Sequence, residues 1–274
     1  MRYGLSGASV AVYKGKILVA GGVGAGGILK AVKRLLVYDI DTNEWQVGPP
    51  MNFARKCHGS YVFQDCLYVI GGTDSRKPVM SVEKVDLTCL PLAPVKDFRK
   101  FEEPLETTWK IMETLPSWHN GTSGVFGFGN AMAAISVYGI DHDKLFTHRS
   151  WGNFPSNNQR LSRDHPGLAK FKNGILVVGG SEDREPLDSV ESFDFDLEAE
   201  GPRWNLWEQK LNIPREGPGV LQVDEETIFV VGGRGDNVDG SVEIWKDSQW
   251  TLSPSLKVKH PNQEYHCILL ENQF

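Results

Sequence analysis

The residues with the most chemical potential are cations and imidazoles that recur in short polar stretches: Arg55-Lys56-Cys57-His58, Arg163-Asp164-His165, Arg215-Glu216 and Lys259-His260. Arginine presents a planar fork that grips carboxylate or phosphate through two parallel hydrogen bonds, so such stretches suit anion recognition. They suit metal binding less. His58, His119, His165 and His260 are widely separated, no histidine has another four residues away, and Cys57, Cys66, Cys89 and Cys267 form no CxxC pair. A structural zinc site normally needs such spacing. Asp164 beside His165 offers an acid and a base, but catalysis needs a converging set, and nothing in the spacing singles this pair out. No catalytic, cofactor-binding or metal-binding residue is assigned. Gly24 to Gly27 is glycine-rich yet lacks the Lys-Ser/Thr of a phosphate loop. Arg234-Gly235-Asp236 spells an adhesion tripeptide and Asn120-Gly121-Thr122 a glycosylation sequon, and no secretory signal is read ahead of either.

Composition narrows the classes. The chain has 274 residues, 40% hydrophobic and 23% charged, with 29 Lys+Arg against 35 Asp+Glu for a net charge of −6. That is ordinary globular material with enough apolar content for a core. No apolar run is long enough for a membrane helix, and a mildly acidic chain without a basic cluster is not expected to bind nucleic acid. The four cysteines are expected as free thiols in a reducing compartment, which points to the cytoplasm. Spacing also permits a Cys57–Cys66 disulfide. Glycine, at 29 residues, is the one clear excess, and it favours many short strands over long helices.

The glycines mark a repeat. Four apolar runs end in Gly-Gly: 17–22, 67–72, 175–180 and 228–233. Their last glycines are 50, 108 and 53 positions apart, so a degenerate copy is expected inside the long interval. A run apolar on both faces suggests a strand covered on both sides. A second strand follows each: Leu36-Val37-Tyr38-Asp39, Val82-Glu83-Lys84-Val85-Asp86, Val190-Glu191-Ser192-Phe193-Asp194 and Val242-Glu243-Ile244-Trp245. A Trp comes next, at Trp45, Trp109, Trp207 and Trp250, with Trp204 competing for the Trp207 place. Counting from Trp to the next Gly-Gly assigns Trp151 to the hidden copy and its apolar run to Met132-Ala133-Ala134-Ile135. A second alignment, placing Ser136 to Asp141 on the following strand, stays open. Asp86 to Trp109 is 23 positions where Asp39 to Trp45 is 6, so the second repeat carries an insertion at 88–108. Loops of that length in a compact domain are usually functional or mobile.

The apolar run with Gly-Gly, the Val-Glu-x-Phe-Asp type strand, the spaced Trp and the period near 50 resemble kelch repeats. The resemblance implies an all-β fold, a kelch-type β-propeller of four-stranded antiparallel blades, with five recognisable repeats over a single domain at 1–274. The strand before each Gly-Gly run is taken as the outer strand of a blade. Gly7 to Tyr13 would then be a surplus edge strand, and the chain would stop where a sixth blade should begin. Either an incomplete sixth blade or a five-bladed ring with one spare edge follows, and a bare edge invites self-association.

Kelch propellers serve many ends. The resemblance implies a module that binds a protein or peptide, as the recognition part of a ubiquitin-ligase adaptor or as a cytoskeletal binder. The alternative is a propeller enzyme acting on a small molecule or sugar. By strand parity, the loops after Gly-Gly share one rim with the segments before the next repeat. In peptide-binding kelch domains such a rim contacts acidic or phosphorylated motifs. Its candidates here are Arg55, Lys56, His58, Arg76, Arg163, His165, Arg184, Arg215 and Arg234.

Overall fold

The computed structural model describes residues 5–24, 30–95, 106–114, 122–128, 131–136, 144–147, 150–153, 161, 163–194 and 203–259. Among the described residues every regular element is a strand. Five sheets each contain four sequential antiparallel strands, the pattern of β-propeller blades. The first blade comprises Ser9–Tyr13, Lys16–Ala20, Leu35–Asp39 and Glu44–Gly48. The second comprises Gly59–Phe63, Cys66–Ile70, Ser81–Asp86 and Lys110–Thr114. The third is Thr122–Phe128, Ala131–Ser136, Lys144–Thr147 and Ser150–Asn153, so the hidden copy lies where the Trp count puts it. The fourth is Gly167–Phe171, Gly174–Val178, Val190–Asp194 and Arg203–Leu206. The fifth is Gly219–Gln222, Ile228–Val231, Ser241–Lys246 and Gln249–Lys257.

Strand order within the blade differs from expectation. The strand before each Gly-Gly run opens its own blade and does not close the previous one. Ser9–Tyr13 pairs along its length with Lys16–Ala20, so it is the first strand of the first blade and not a surplus edge. The joining turns explain why. Two-residue hairpins of type I′ carry positive φ at both central residues, which matches the strand twist. Lys14 and Gly15 have φ of 44° and 72°, and Gln64 and Asp65 have 48° and 55°. Such turns bind their flanking strands into one hairpin. The polar stretches at Arg55, Arg163 and Arg215 are therefore the links between blades. His119, His260 and Cys267 lie outside the described residues.

By its contacts the chain divides into two compact units, one mainly of residues 1–127 and one mainly of residues 153–269. In the first unit a single cluster joins Leu18, Leu35, Val37 and Met51 to Leu67, Val69, Val85 and Trp109. The first two blades thus bury their faces against each other, with Ser9–Tyr13 running beside Gly59–Phe63. In the second unit Leu176, Val178 and Val190 meet Val220, Ile228, Val230 and Trp250 in the same way. A strand in the middle of such a stack is covered on both faces, which is why Ile175–Val178 is apolar at every position and fully buried.

The insertion is partly a strap. Ala93–Pro94 pairs with Val47 and Gln46, adding a short strand to the outer edge of the first blade. Leu87 is buried in the first unit's core, and Leu90 and Leu92 pack against it. Covering an edge strand blocks unwanted pairing with other chains. Residues 96–105, the middle of the insertion, lie outside the described residues. Leu92→Asp is expected to detach the strap, seen as faster amide exchange at Val95, whose N–H donates to the Trp45 carbonyl at 3.3 Å. Unchanged exchange there would show that the leucines do not hold it.

Candidate functional site

The rim is built where two kinds of segment meet. The residue after each arginine bridges to the loop after Gly-Gly of the same blade: Lys56 to Thr73, Asp164 to Ser181 and Glu216 to Arg234. The two kinds of segment therefore share one rim, as strand parity expects, although the strand between them opens its blade and does not close the previous one.

The arginines themselves lie beneath the exposed surface. Arg55, Arg163 and Arg215 are among the most buried side chains of the protein, at 0%, 1% and 0% exposure. Each reaches across its own blade to a buried glutamate on the third strand: Arg55 to Glu83 at 2.5 Å, Arg163 to Glu191 at 2.5 Å and Arg215 to Glu243 at 2.7 Å. The other amino group of Arg55 donates to the carbonyls of Gly71 and Ser81 at 2.8 and 2.9 Å. Arg215 does the same to Gly232 and Ser241. The carboxylates are held from their far side. Glu83 accepts from Asn52 N, Asn52 Nδ2 and Phe53 N, and Glu243 from Asn212 N, Asn212 Nδ2 and Ile213 N. Burial pulls the Arg55 and Arg215 pKa values down, and the facing carboxylates push back. The three arginines are thus internal clamps that fix the links between blades, and burial removes them from the candidate surface.

His58 is also buried, at 3% exposure, with its Nε2 2.8 Å from Ser9 Oγ. It packs beneath the rim. His165 is half-buried and its Nδ1 lies 3.2 Å from Glu216 Oε1. Lys56 is half-buried, and Arg76, Arg184 and Arg234 are exposed. The structure therefore splits the candidates into a clamped layer below and a displayed layer above.

The displayed layer differs between units. In the first unit it carries Lys30, Lys56, Arg76 and Lys77, with Ala31 N tied to Ser75 Oγ so that the two Gly-Gly loops lie together. The one acid between them, Asp74, accepts the backbone N–H groups of Arg76 and Lys77, both at 2.8 Å. Those bonds hold its carboxyl below the usual range, so it stays ionised and occupied in its own turn. In the second unit Arg184 and Arg234 stand among Glu182, Asp183, Glu185 and Asp236. Among the described residues no group of His, Cys, Asp and Glu is arranged to hold a metal ion.

The buried glutamates were missed in the sequence, though a signal was there. Each lies 28 residues after its arginine, in the Val-Glu pair of the third strand. A carboxylate in the middle of a covered strand requires a partner.

The kelch motif family matches residues 4–52 and 54–89. Beta-scruin of Limulus polyphemus is 28% identical over 243 residues, covering 82% of this chain and 24% of its own. Alpha-scruin of the same organism is 27% identical over 249 residues, with the same coverage of 82% and 24%. Kelch-like protein 25 of Xenopus tropicalis is 35% identical over 101 residues, 36% of this chain and 15% of its own. The chain spans about a quarter of the length of the scruins it matches.

Proposed function

We propose, from the kelch motif matched over residues 4–52 and 54–89, that the chain is a protein-interaction module that takes an acidic peptide or protein segment on the Gly-Gly rim of its first unit. The observation that carries this reading is the separation of layers. The buried Arg55–Glu83 clamp holds the link before the second blade, and Lys30, Lys56, Arg76 and Lys77 are displayed around it. Preset cations bind carboxylates with less loss of freedom than mobile ones. Kelch repeats suggest two settings for such a module, the recognition part of a ubiquitin-ligase adaptor and a cytoskeletal binder. We place it in the cytoplasm, a reading supported by Cys57, Cys66 and Cys89 standing outside any disulfide.

The test is affinity capture with mass spectrometry, comparing wild type with Lys56→Glu/Arg76→Glu/Lys77→Glu. The variant is expected to lose the main captured partner while its thermal midpoint is kept, because all three side chains lie outside the core. Ligase subunits or filament components among the lost partners would separate the two settings. A variant that captures the same set as wild type sinks the rim assignment.

A further inference from the structure

The second unit has a cleft at the other end of its strands, away from the Gly-Gly loops. It lies between the fourth and fifth blades as a half-open groove of about 640 Å³. One wall is aromatic. Phe171, Trp207 and Trp245 form a row with centroid spacings of 5.5 and 4.8 Å, and Trp245 continues to Trp250 at 5.3 Å. The charged part of the lining is mainly acidic, with Asp194, Glu225, Glu226 and Asp247 against one base, Lys172, and Ser192, Gln209 and Ser248 add neutral polar groups. Lys172 already holds its ammonium 5.3 Å from the centre of the Phe171 ring, so this wall accepts a cation.

Two features mark the cleft as more than a gap in packing. The first is Trp207. The Trp place of the repeat is filled by Trp204, buried at 6% and paired across from Phe193, as Trp45 pairs with Tyr38 and Trp250 with Trp245. Trp207 is therefore an additional tryptophan that the repeat does not require. It is half-exposed and steered into the cleft by the hydrogen bond from Nε1 to Ser192 Oγ at 3.0 Å.

The second is an internal precedent. The matching crevice in the first unit is lined by Tyr13, Lys14 and Val37, which stand where Phe171, Lys172 and Ser192 stand here. There the chain's own strap enters with Leu87, Leu90 and Leu92, leaving about 420 Å³. A crevice of this form takes a peptide segment, and its lining sets which side chains fit. In the first unit the guests are leucines.

We infer that the cleft between the fourth and fifth blades binds a peptide segment of a partner through an arginine side chain. The guanidinium stacks on the Trp207–Trp245 wall and its N–H groups donate to the surrounding carboxylates. Arginine meets both halves of the lining at once, because its face stacks on indole while its edge donates to carboxylates. The site belongs to the second unit, at the ends of its strands away from their own Gly-Gly loops, and does not depend on the acidic-peptide reading.

The probe is an acetylated, amidated Gly-Ser-Arg-Ser-Gly peptide, followed by tryptophan fluorescence of the whole chain. Its controls are the same peptide with citrulline, the neutral isostere, or with lysine in place of arginine. Saturable quenching by the arginine peptide is expected, with none from citrulline and weaker quenching from lysine. Trp207→Leu should weaken binding roughly 2- to 30-fold, the range of one cation–π contact. Glu225→Gln/Glu226→Gln/Asp247→Asn, all exposed turn residues, should weaken it at least about tenfold by removing the charged acceptors. If Trp207→Leu fails to fold, the carboxylate variant carries the test. Glu182→Gln/Asp183→Asn/Glu185→Gln removes equal charge at the other end of the strands and should leave binding unchanged. Equal binding of the citrulline peptide, equal loss in that distant variant, or no saturable quenching overturns the proposal.

Discussion

Arg215→Ala is expected to destabilise the second unit by roughly 3–5 kcal/mol, the cost of removing one partner of a buried ion pair. The guanidinium donates to Glu243 at 2.7 Å, to the Gly232 carbonyl at 2.9 Å, to Ser241 Oγ at 3.1 Å and to the Ser241 carbonyl at 3.2 Å. Truncation leaves a carboxylate of zero exposure without its counter-charge, and carbonyls without a donor. The measurement is urea unfolding, where the midpoint should fall. Because Glu243 also accepts three N–H bonds from Asn212 and Ile213, a double change to Arg215→Met/Glu243→Leu should recover only part of the loss. The exposed pair of Lys210 and Asp188, at 3.1 Å with 60% and 34% exposure, is the control. Lys210→Ala should cost no more than about 1 kcal/mol, since water already screens that charge. Equal midpoints for Arg215→Ala and wild type would mean that the clamp does not hold the link.

This clamp also marks the limit of what the sequence makes legible. The Gly-Gly punctuation, the Trp spacing and the hidden third repeat are visible because they recur in register, and recurrence reports strand packing directly. Strand order within a blade is less legible. The strand before Gly-Gly looks the same whether it closes one blade or opens the next, and the deciding feature is the turn conformation at Lys14-Gly15 and Gln64-Asp65. At the site, strand parity finds the rim, but residue type alone cannot tell Arg55 from Arg76. Both are arginines in polar stretches, and one is buried on Glu83 while the other is displayed. The difference lies 28 residues away, in the third strand. Trp207 shows the converse case. A repeat template gives it the structural place, while the register gives that place to Trp204 and releases Trp207 to line a cleft.

Gly179→Ala should approach Arg215→Ala in cost, because it presses on the same link from the other side. Gly179 has φ of 61°, and a Cβ there would sit 2.4 Å from the Arg215 carbonyl oxygen and 3.3 Å from that of Leu187. Neither neighbour can swing away as a flexible side-chain tip could. The Arg215 oxygen accepts from Gly180 N at 2.9 Å, and Arg215 N donates to the Leu187 carbonyl at 3.1 Å. Moving either carbonyl strains bonds that join the fourth blade to the link before the fifth. Gly15 isolates the conformational part of the effect. Its φ is 72°, yet its nearest contact would be Asp41 Oδ2 at 3.9 Å, so Gly15→Ala meets backbone strain without a clash. That strain is worth about 1–2 kcal/mol. Gly179→Ala adds a contact far inside van der Waals range and should cost roughly 3–5 kcal/mol. Urea midpoints of the two variants read the difference. If they fall equally, the carbonyl contact contributes nothing, and the Gly-Gly pair is kept for its backbone angles alone. If Gly179→Ala falls much further, the glycines are the space into which the next link's backbone fits.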